Sequence, residues 1–244
     1  MSSKLSVQLY SVREECAKDF VGTIKKIAGM GYKSVEPAGF SGTTPEEAAK
    51  LFADLGLEVV SMHGPLPIGE DKNKSIETAK LLGAKYIVSG KGPDDFKTSD
   101  KIKAVADLFN EAAENAAQYG ISVAYHNHYW EIYDVEGKCA YDILVENLSD
   151  KVISQIDSYW VKVGGTEPAE LIAKLGDRVK LVHIKDGPCT ISDPMQALGT
   201  GKLDIPSVVQ SSKYCESFIV ELDRCEGDML TAIDESYKYL SSLV

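Results

Sequence analysis

No run of about 18 consecutive apolar residues occurs in the chain, so no membrane span is expected. No CxxC pair occurs either, and the five cysteines (Cys16, Cys139, Cys189, Cys215, Cys225) are an odd set without metal-site spacing. They predict reduced thiols. Together with the lack of an apolar signal core in MSSKLSVQLYSVREECAKDF, they predict a cytoplasmic protein. Positive charge is scarce: 26 Lys and Arg against 37 Asp and Glu leave a formal net charge of −11. That balance opposes binding to nucleic acid or to an anionic membrane through bulk charge. No GxGxxG follows the first apolar run, where QLYSVREE stands instead, which argues against an open dinucleotide-binding sheet. No long Pro/Gly linker or low-complexity tail divides the 244 residues, so one domain over 1–244 is expected. Histidine is rare, with four in the whole chain.

What is present is an alternation. Short β-branched runs at 5–10, 32–36, 57–63, 84–89, 121–126, 151–157, 178–184 and 217–222 predict strands. Amphipathic stretches near 14–30, 44–55, 70–82, 98–119, 139–148, 167–175, 205–214 and 228–242 predict helices. Thr43 or Thr44 is a candidate N-cap ahead of Pro45 and two glutamates. Gly31, Gly56, Gly83, Gly120 and Gly176 recur where each helix yields to the next strand, the C′ position. Eight βα units at 44% hydrophobic content predict a single-domain (β/α)8 TIM barrel.

The chemistry-bearing residues stand at the C-terminal ends of the predicted strands: Gln8, Glu36, His63, Lys91, His126 and His128, Gln155 and Asp157, His183 and Lys185, Glu221 and Asp223. In a barrel these ends form one ring at the catalytic mouth. All four histidines lie there, which a scattered surface set would not do. His126, Asp157, His183 and Glu221 are the candidate metal ligands, although Asp157 also suits a helix cap and His183 a satisfied core position. Glu221, flanked by Val220 and Leu222, would be expensive to bury without a cation. A set of carboxylates and imidazoles suits Mn2+ or Zn2+, with Co2+ and Mg2+ as alternatives.

Such a site can polarise a sugar carbonyl while a side chain moves a proton, giving isomerisation or epimerisation through an enediolate. Glu131 is a further candidate ligand or base from the loop. His128 is a candidate substrate or catalytic group. Lys185 either stabilises a developing oxyanion, binds phosphate, or pairs with Asp186 or Asp223. Glu36, His63 and Gln155 are candidates to bind substrate, though Glu36 also suits a cap of the GFSG turn. Trp130 and Trp160 would cover a sugar face or pack under loops. Arg13 and Lys91 suit an anionic group without specificity.

QLYSVRE, GYKSVEPAGFSG, LGLEVVSMHGPL, LGAKYIV, YGISVAYHNHYWE, QIDSYWVKVGG, RVKLVHIKD, GTGKLD and FIVELD resemble, in order and across the whole chain, the sugar phosphate isomerase/epimerase superfamily of xylose-isomerase-like TIM barrels. The fold group also includes endonuclease IV, whose many additional ligands and DNA substrate do not match four histidines and an acidic balance. In the ketose 3-epimerase branch the resemblance implies metal ligands Glu, Asp, His and Glu. The last three carry onto Asp157, His183 and Glu221. The first has no direct match; His126 is the nearest substitute and Glu131 the next.

Those epimerases move the proton between two metal-bound glutamates, and one of that pair is missing here. The epimerase pattern also has His where Trp160 stands, and relatives carry Glu where Thr200 separates Gly199 from Gly201. The His-Asn-His form at 126–128 resembles a branch that includes inosose dehydratases and enzymes acting on 3-keto sugars. That resemblance implies a lyase or hydratase alternative, in which Lys185, His128 or Glu131 would act as the acid. A non-catalytic sugar-binding barrel is the third reading. The expected partner is a small sugar or sugar-derived molecule, and a homo-oligomer is compatible with the barrel mouth.

Overall fold

The computed structural model describes residues 4–244. The chain begins β1 (Lys4–Gln8), α1 (Arg13–Met30), β2 (Ser34–Glu36), α2 (Pro45–Asp54), β3 (Glu58–Val59), β4 (Ser61–His63) and α3 (Lys72–Leu82). It continues through β5 (Tyr86–Ser89), α4 (Ser99–Ala117), β6 (Ser122–His126), a small hairpin of β7 (Asp134–Val135) and β8 (Lys138–Cys139), and α5 (Ala140–Asn147). The last part is β9 (Val152–Asp157), α6 (Ser158–Val163), α7 (Pro168–Leu175), β10 (Val179–Ile184), α8 (Ile205–Ser211), β11 (Ser217–Val220) and α9 (Met229–Ser241). The local signals act as their chemistry requires. Thr44 and Glu47 form a reciprocal capping box before Pro45. Gly31 and Gly83 close α1 and α3 with positive φ, which a side chain would strain. No helix among the described residues is long and apolar enough to cross a membrane.

The large sheet has nine strands in the order β3-β2-β1-β11-β10-β9-β6-β5-β4. All neighbouring pairs are parallel. The two strands at the ends of this order, β3 and β4, are separated by Val60 alone. The expected count of eight is therefore corrected to nine, because the run at 57–63 changes partner midway. β3 pairs with β2 and β4 with β5, while the Val60 carbonyl accepts from the backbone N–H groups of Lys85 and Tyr86 at 3.0 and 3.1 Å. The gap is drawn together where Ala38 pairs with His63 and the His63 N–H donates to the Pro37 carbonyl at 2.8 Å. The result is a near-closed parallel barrel.

Strand alternation sorts each strand into two faces. Val7, Val35, Met62, Ile87, Val123, Tyr125, Ile156, Val182, Ile184, Val220 and Leu222 belong to the large core shared with the helices. Val60, Tyr86, Val88, Ala124, Leu181 and Ile219 form a separate apolar cluster, with Ile153 against it. Two residues beyond this cluster on their strands come His126, Gln155, His183 and Glu221. The interior is thus apolar below and chemically loaded at the C-terminal end. Truncating a plug residue such as Ile219 to Ala would remove about 2–5 kcal/mol of packing and the floor under those side chains.

Candidate active site

The same alternation that aims Ala124, Leu181 and Ile219 inward aims His126, His183 and Glu221 inward one step later. The three imidazoles His63, His126 and His183 lie with ring centroids 4.9–5.4 Å apart, and His128 is 5.1 Å from His126. Above them opens a cavity of about 580 Å³ lined in part by His63, His126, His128, Trp130, Trp160, Lys185 and Glu221. All four histidines and both tryptophans of the chain are gathered at this one mouth.

Glu36 lies fully buried and serves as a hydrogen-bond hub. Its Oε1 accepts from Gln8 Nε2 at 2.7 Å and from His183 Nε2 at 2.6 Å, and its Oε2 from Gln155 Nε2 at 2.7 Å and from the Ser61 hydroxyl. Gln155 has donated its amide N–H, so its Oε1 must accept. It does so from His63 Nε2 at 2.7 Å and His126 Nδ1 at 2.8 Å. This fixes both tautomers. His126 carries its proton on Nδ1 and turns the bare Nε2 lone pair toward the cavity. Burial keeps His63 and His126 neutral, with His126 held well below the usual imidazole range.

His183 is the opposite case. Burial disfavours its charge, but Glu36 and Glu221 hold it on both sides, Glu221 Oε2 standing 2.7 Å from Nδ1. The two carboxylates win, and its pKa is pushed up to about 10. Lys185 is equally enclosed. Burial opposes its charge, yet Asp157, Asp223 and Glu221 keep the ammonium charged well above the ordinary lysine range. Its Nζ lies 2.8 Å from Glu221 Oε2, 3.0 Å from Asp157 Oδ2 and 2.9 Å from Asp223 Oδ1. Glu221 is drawn well below the carboxylate range, because Lys185 and His183 overcome the burial that would raise it. At Asp157 burial prevails over Lys185, and the pKa is raised.

Asp157 serves two structures at once. Its Oδ1 accepts from the Trp160 N–H at 3.0 Å and caps α6, as the cap alternative expected. Its buried Oδ2 has ion-pair contact with Lys185 but no donor in hydrogen-bond geometry. That orphaned oxygen faces His126 Nε2 at 3.9 Å. Two electron-pair donors this close suit a cation, since 3.9 Å is within two metal–ligand bonds of about 2.1 Å each. Asp157, His183 and Glu221 form one compact ligand set, and His63, His126 and His183 a second that shares His183. The donor set fits a divalent ion of intermediate softness.

Several expected site residues have other positions. Glu131 does not offer a free carboxylate, since Oε1 accepts from the Tyr125 hydroxyl at 2.8 Å and Oε2 from the His128 N–H at 2.9 Å. It folds the loop back and steadies His128, whose Nδ1 is 3.7 Å from it. Glu36 and Gln155 orient the histidines from beneath and do not present free polar atoms to a substrate, and Glu36 does not cap the GFSG turn. His128 stacks on Trp130 at 4.2 Å, and Trp160 lies 5.4 Å below the Lys185 ammonium, so both indoles line the cavity. Lys91 also lines it, whereas Arg13 donates to the carbonyls of Tyr10 and Asp223.

Lys185 pairs with Asp223, not Asp186. The buried Asp186 carboxylate instead accepts the backbone N–H groups of Gly187, Gly199, Gly201 and Leu203 at 2.8–3.1 Å. Thr200 faces a separate cavity of about 540 Å³ between that loop and α9, which no histidine lines.

Asn127 is the positioning residue that the sequence reading passed over. Its Oδ1 accepts from the Asp157 N–H at 3.0 Å. The sequence carries no such signal, because Asn127 lies just past the end of β6 and alternation does not specify a contact with the next strand.

A family model described as xylose isomerase-like TIM barrel matches residues 24–243. A search of curated proteins gives no match. Among solved structures, a sugar phosphate isomerase/epimerase from Parabacteroides distasonis ATCC 8503 is 25% identical with a TM-score of 0.80, over 99% of this chain and 95% of that one. A probable 3-DHS dehydratase involved in petrobactin synthesis from Bacillus anthracis is 16% identical with a TM-score of 0.75, over 98% of both chains. An L-ribulose 3-epimerase is 13% identical with a TM-score of 0.71, over 99% of this chain and 94% of that one. The last two likenesses concern the fold alone.

Proposed function

The chain belongs to the xylose-isomerase-like TIM-barrel family, and on that footing we propose that it is a cytoplasmic, divalent-metal-dependent isomerase or epimerase acting on a small sugar, sugar phosphate or keto-polyol. The observation that carries the reading is a pair of electron-pair donors at the inner ends of two strands. His126 Nε2 and Asp157 Oδ2, which has no donor in hydrogen-bond geometry, stand 3.9 Å apart, beside His183 Nδ1 and Glu221 Oε2. These four side chains would hold the ion, with Mn2+ or Zn2+ the best match to two nitrogens and two oxygens. When bound, it supplies a Lewis acid for a substrate carbonyl.

The chain's own residues do the rest. Glu221, held ionised, takes a proton from the carbon beside the carbonyl. Lys185 neutralises the developing oxyanion, since its side chain lines the same cavity beside Asp223. Trp130 and Trp160 cover the apolar side of the sugar and exclude water, and His63 and His128 bind its hydroxyls.

A second reading is a lyase or hydratase on a keto sugar or inosose, within the branch that carries His-Asn-His. One observation favours it. The carboxylate on the facing arc, Glu36, already accepts from four side chains and is not a free second base. Proton exchange on two faces then lacks a carboxylate partner, whereas elimination needs one base and one acid. Lys185 supplies the acid.

The deciding experiment follows aldoses, ketoses and 3-keto sugars by NMR in D2O with Mn2+. Deuterium gained beside the carbonyl without loss of water supports the first reading, and a new alkene or dicarbonyl the second. Asp157→Ala and His183→Ala are expected to abolish either signal together with metal content. Full rate and full metal content in either variant would refute the ligand assignment, and sugar binding without metal-dependent exchange would leave a binding barrel.

A further inference from the structure

The Lys185 ammonium stands where a cation would be wanted. It is buried, and three carboxylates from two neighbouring strand ends surround it: Asp157 at 3.0 Å, Glu221 at 2.8 Å and Asp223 at 2.9 and 3.1 Å. Two of these, Asp157 and Glu221, are also members of the compact ligand set with His183. The third is not. Asp223 holds Lys185 through both oxygens and lines the open cavity.

An ion bound to Glu221 at about 2.1 Å can lie no farther than about 5 Å from Nζ, because the Nζ–oxygen distance is 2.8 Å. Two cations that close, with no water between them, repel strongly. Lys185 therefore cannot keep all its present contacts once an ion is bound.

We propose that Lys185 is an internal placeholder cation. In the metal-free protein it neutralises Asp157 and Glu221, and on metal binding it is displaced from both and retained in the cavity by Asp223. This inference rests on the metal-dependent reading above. Without the placeholder, Asp157 and Glu221 would face one another with only His183 beside Glu221 to compensate them before the ion arrived. With it the ligands are preorganised, at the expense of affinity. The displaced ammonium does not leave. Its tether, two residues beyond Glu221, keeps it beside the substrate space, where a metal-loaded site would need a proton donor. Loading the ion and arming the lysine then become one event.

The test is Mn2+ binding, followed by the EPR signal of free Mn2+ and by calorimetry, on the full chain. Lys185→Met is expected to bind Mn2+ about tenfold more tightly or better, as removal of a nearby like charge requires. Asp223→Asn is expected to weaken binding in the wild-type background and to have little effect in Lys185→Met, since its role acts through the lysine. Should Lys185→Met fail to fold, amine acylation read by mass spectrometry on the wild type decides. Lys185 should be protected without Mn2+ and modified with it. Equal or weaker Mn2+ binding by Lys185→Met, or Lys185 labelling unchanged by Mn2+, overturns the inference while leaving the metal reading intact. Absence of binding in both wild type and Lys185→Met overturns both.

Discussion

Asn127 holds Asp157 by its backbone: its Oδ1 accepts the Asp157 N–H at 3.0 Å, and its Nδ2 lies 3.4 Å from the Asp157 carbonyl. β6 and β9 are neighbours, and their register ends at His126 with Gln155, so on this side nothing in the ladder fixes the chain at 157, while on the other side β10 pairs His183 with Asp157. On the β6 side the amide of Asn127 fixes it while its two flanking histidines face inward. Asn127→Ala would leave a buried N–H without an acceptor, for an expected loss of about 1–3 kcal/mol in denaturant unfolding. Mn2+ affinity should fall with it, because Asp157 Oδ2 loses its fixed position. Unchanged stability and affinity would show that α6 and the pairing with β10 suffice to fix Asp157.

Metal binding is expected to release a proton. The Nδ1 of His183 faces Glu221 at 2.7 Å, and with a pKa of about 10 the ring is protonated throughout the neutral range. An ion taking Nδ1 must displace that proton, so affinity should rise about tenfold per pH unit until the pH approaches the pKa. Calorimetry in buffers of different ionisation enthalpy reads the proton directly. A pH-independent Kd between neutrality and pH 9 would remove His183 from the ligand set.

The same ring sets the alkaline stability of the metal-free protein. Its folded pKa of about 10 lies above the ordinary imidazole value of 6.5, so its contribution is complete below 6.5 and is lost as pH rises toward 10. His63 and His126 have lowered values and act with the opposite sign on the acid side of that window. The denaturation midpoint should therefore decline between pH 7 and 10, and His183→Asn should flatten the decline. An equally steep decline in the variant would place its cause elsewhere.

The inward placing of His126, His183 and Glu221 was legible because strand alternation is a strict rule. Once Ala124, Leu181 and Ile219 face the barrel axis, His126, His183 and Glu221 must follow. The same rule could not show that Glu36 and Gln155 are consumed by neighbouring side chains, since hydrogen-bond saturation depends on strands far apart in sequence. It could not show the break at Val60, where a run that reads as one strand changes partner. Nor could it show the bonds that hold Glu131. Its position follows from a turn that brings it back to Tyr125 and the His128 amide, which spacing alone does not specify.

Thiol reactivity should separate the cysteines by burial. Desolvation pushes Cys16 and Cys215 up to about 12, whereas Cys139, Cys189 and Cys225 are only partly covered. The thiolate is the reactive form, so a disulfide reagent at pH 8 should titrate three of the five thiols in the native protein and all five after unfolding. Rapid native reaction of Cys16 or Cys215 would indicate that the core around it opens readily.

Gly201 should tolerate no side chain. A Cβ there would fall on the Asp186 carboxylate and the Gly187 backbone nitrogen, within the group of N–H donors that Asp186 gathers from Gly187, Gly199, Gly201 and Leu203. Neither neighbour can yield: the carboxylate is fixed by four donors, and Gly187 is backbone at φ +146. Gly201→Ala should therefore destabilise at the upper end of the about 1–3 kcal/mol usual for overpacking. The damage should be local first, because the loop is otherwise tied by Arg224 through the carbonyls of Ile191 and Asp193. Limited proteolysis should cut within 188–200 in Gly201→Ala and not in the wild type. Thr200→Ala is the control, since its hydroxyl donates only to the Ala197 carbonyl at 2.6 Å and the Asp186 bonds remain. If Gly201→Ala resisted protease as well as Thr200→Ala does, the Asp186 clamp would not be what holds this wall of the barrel mouth.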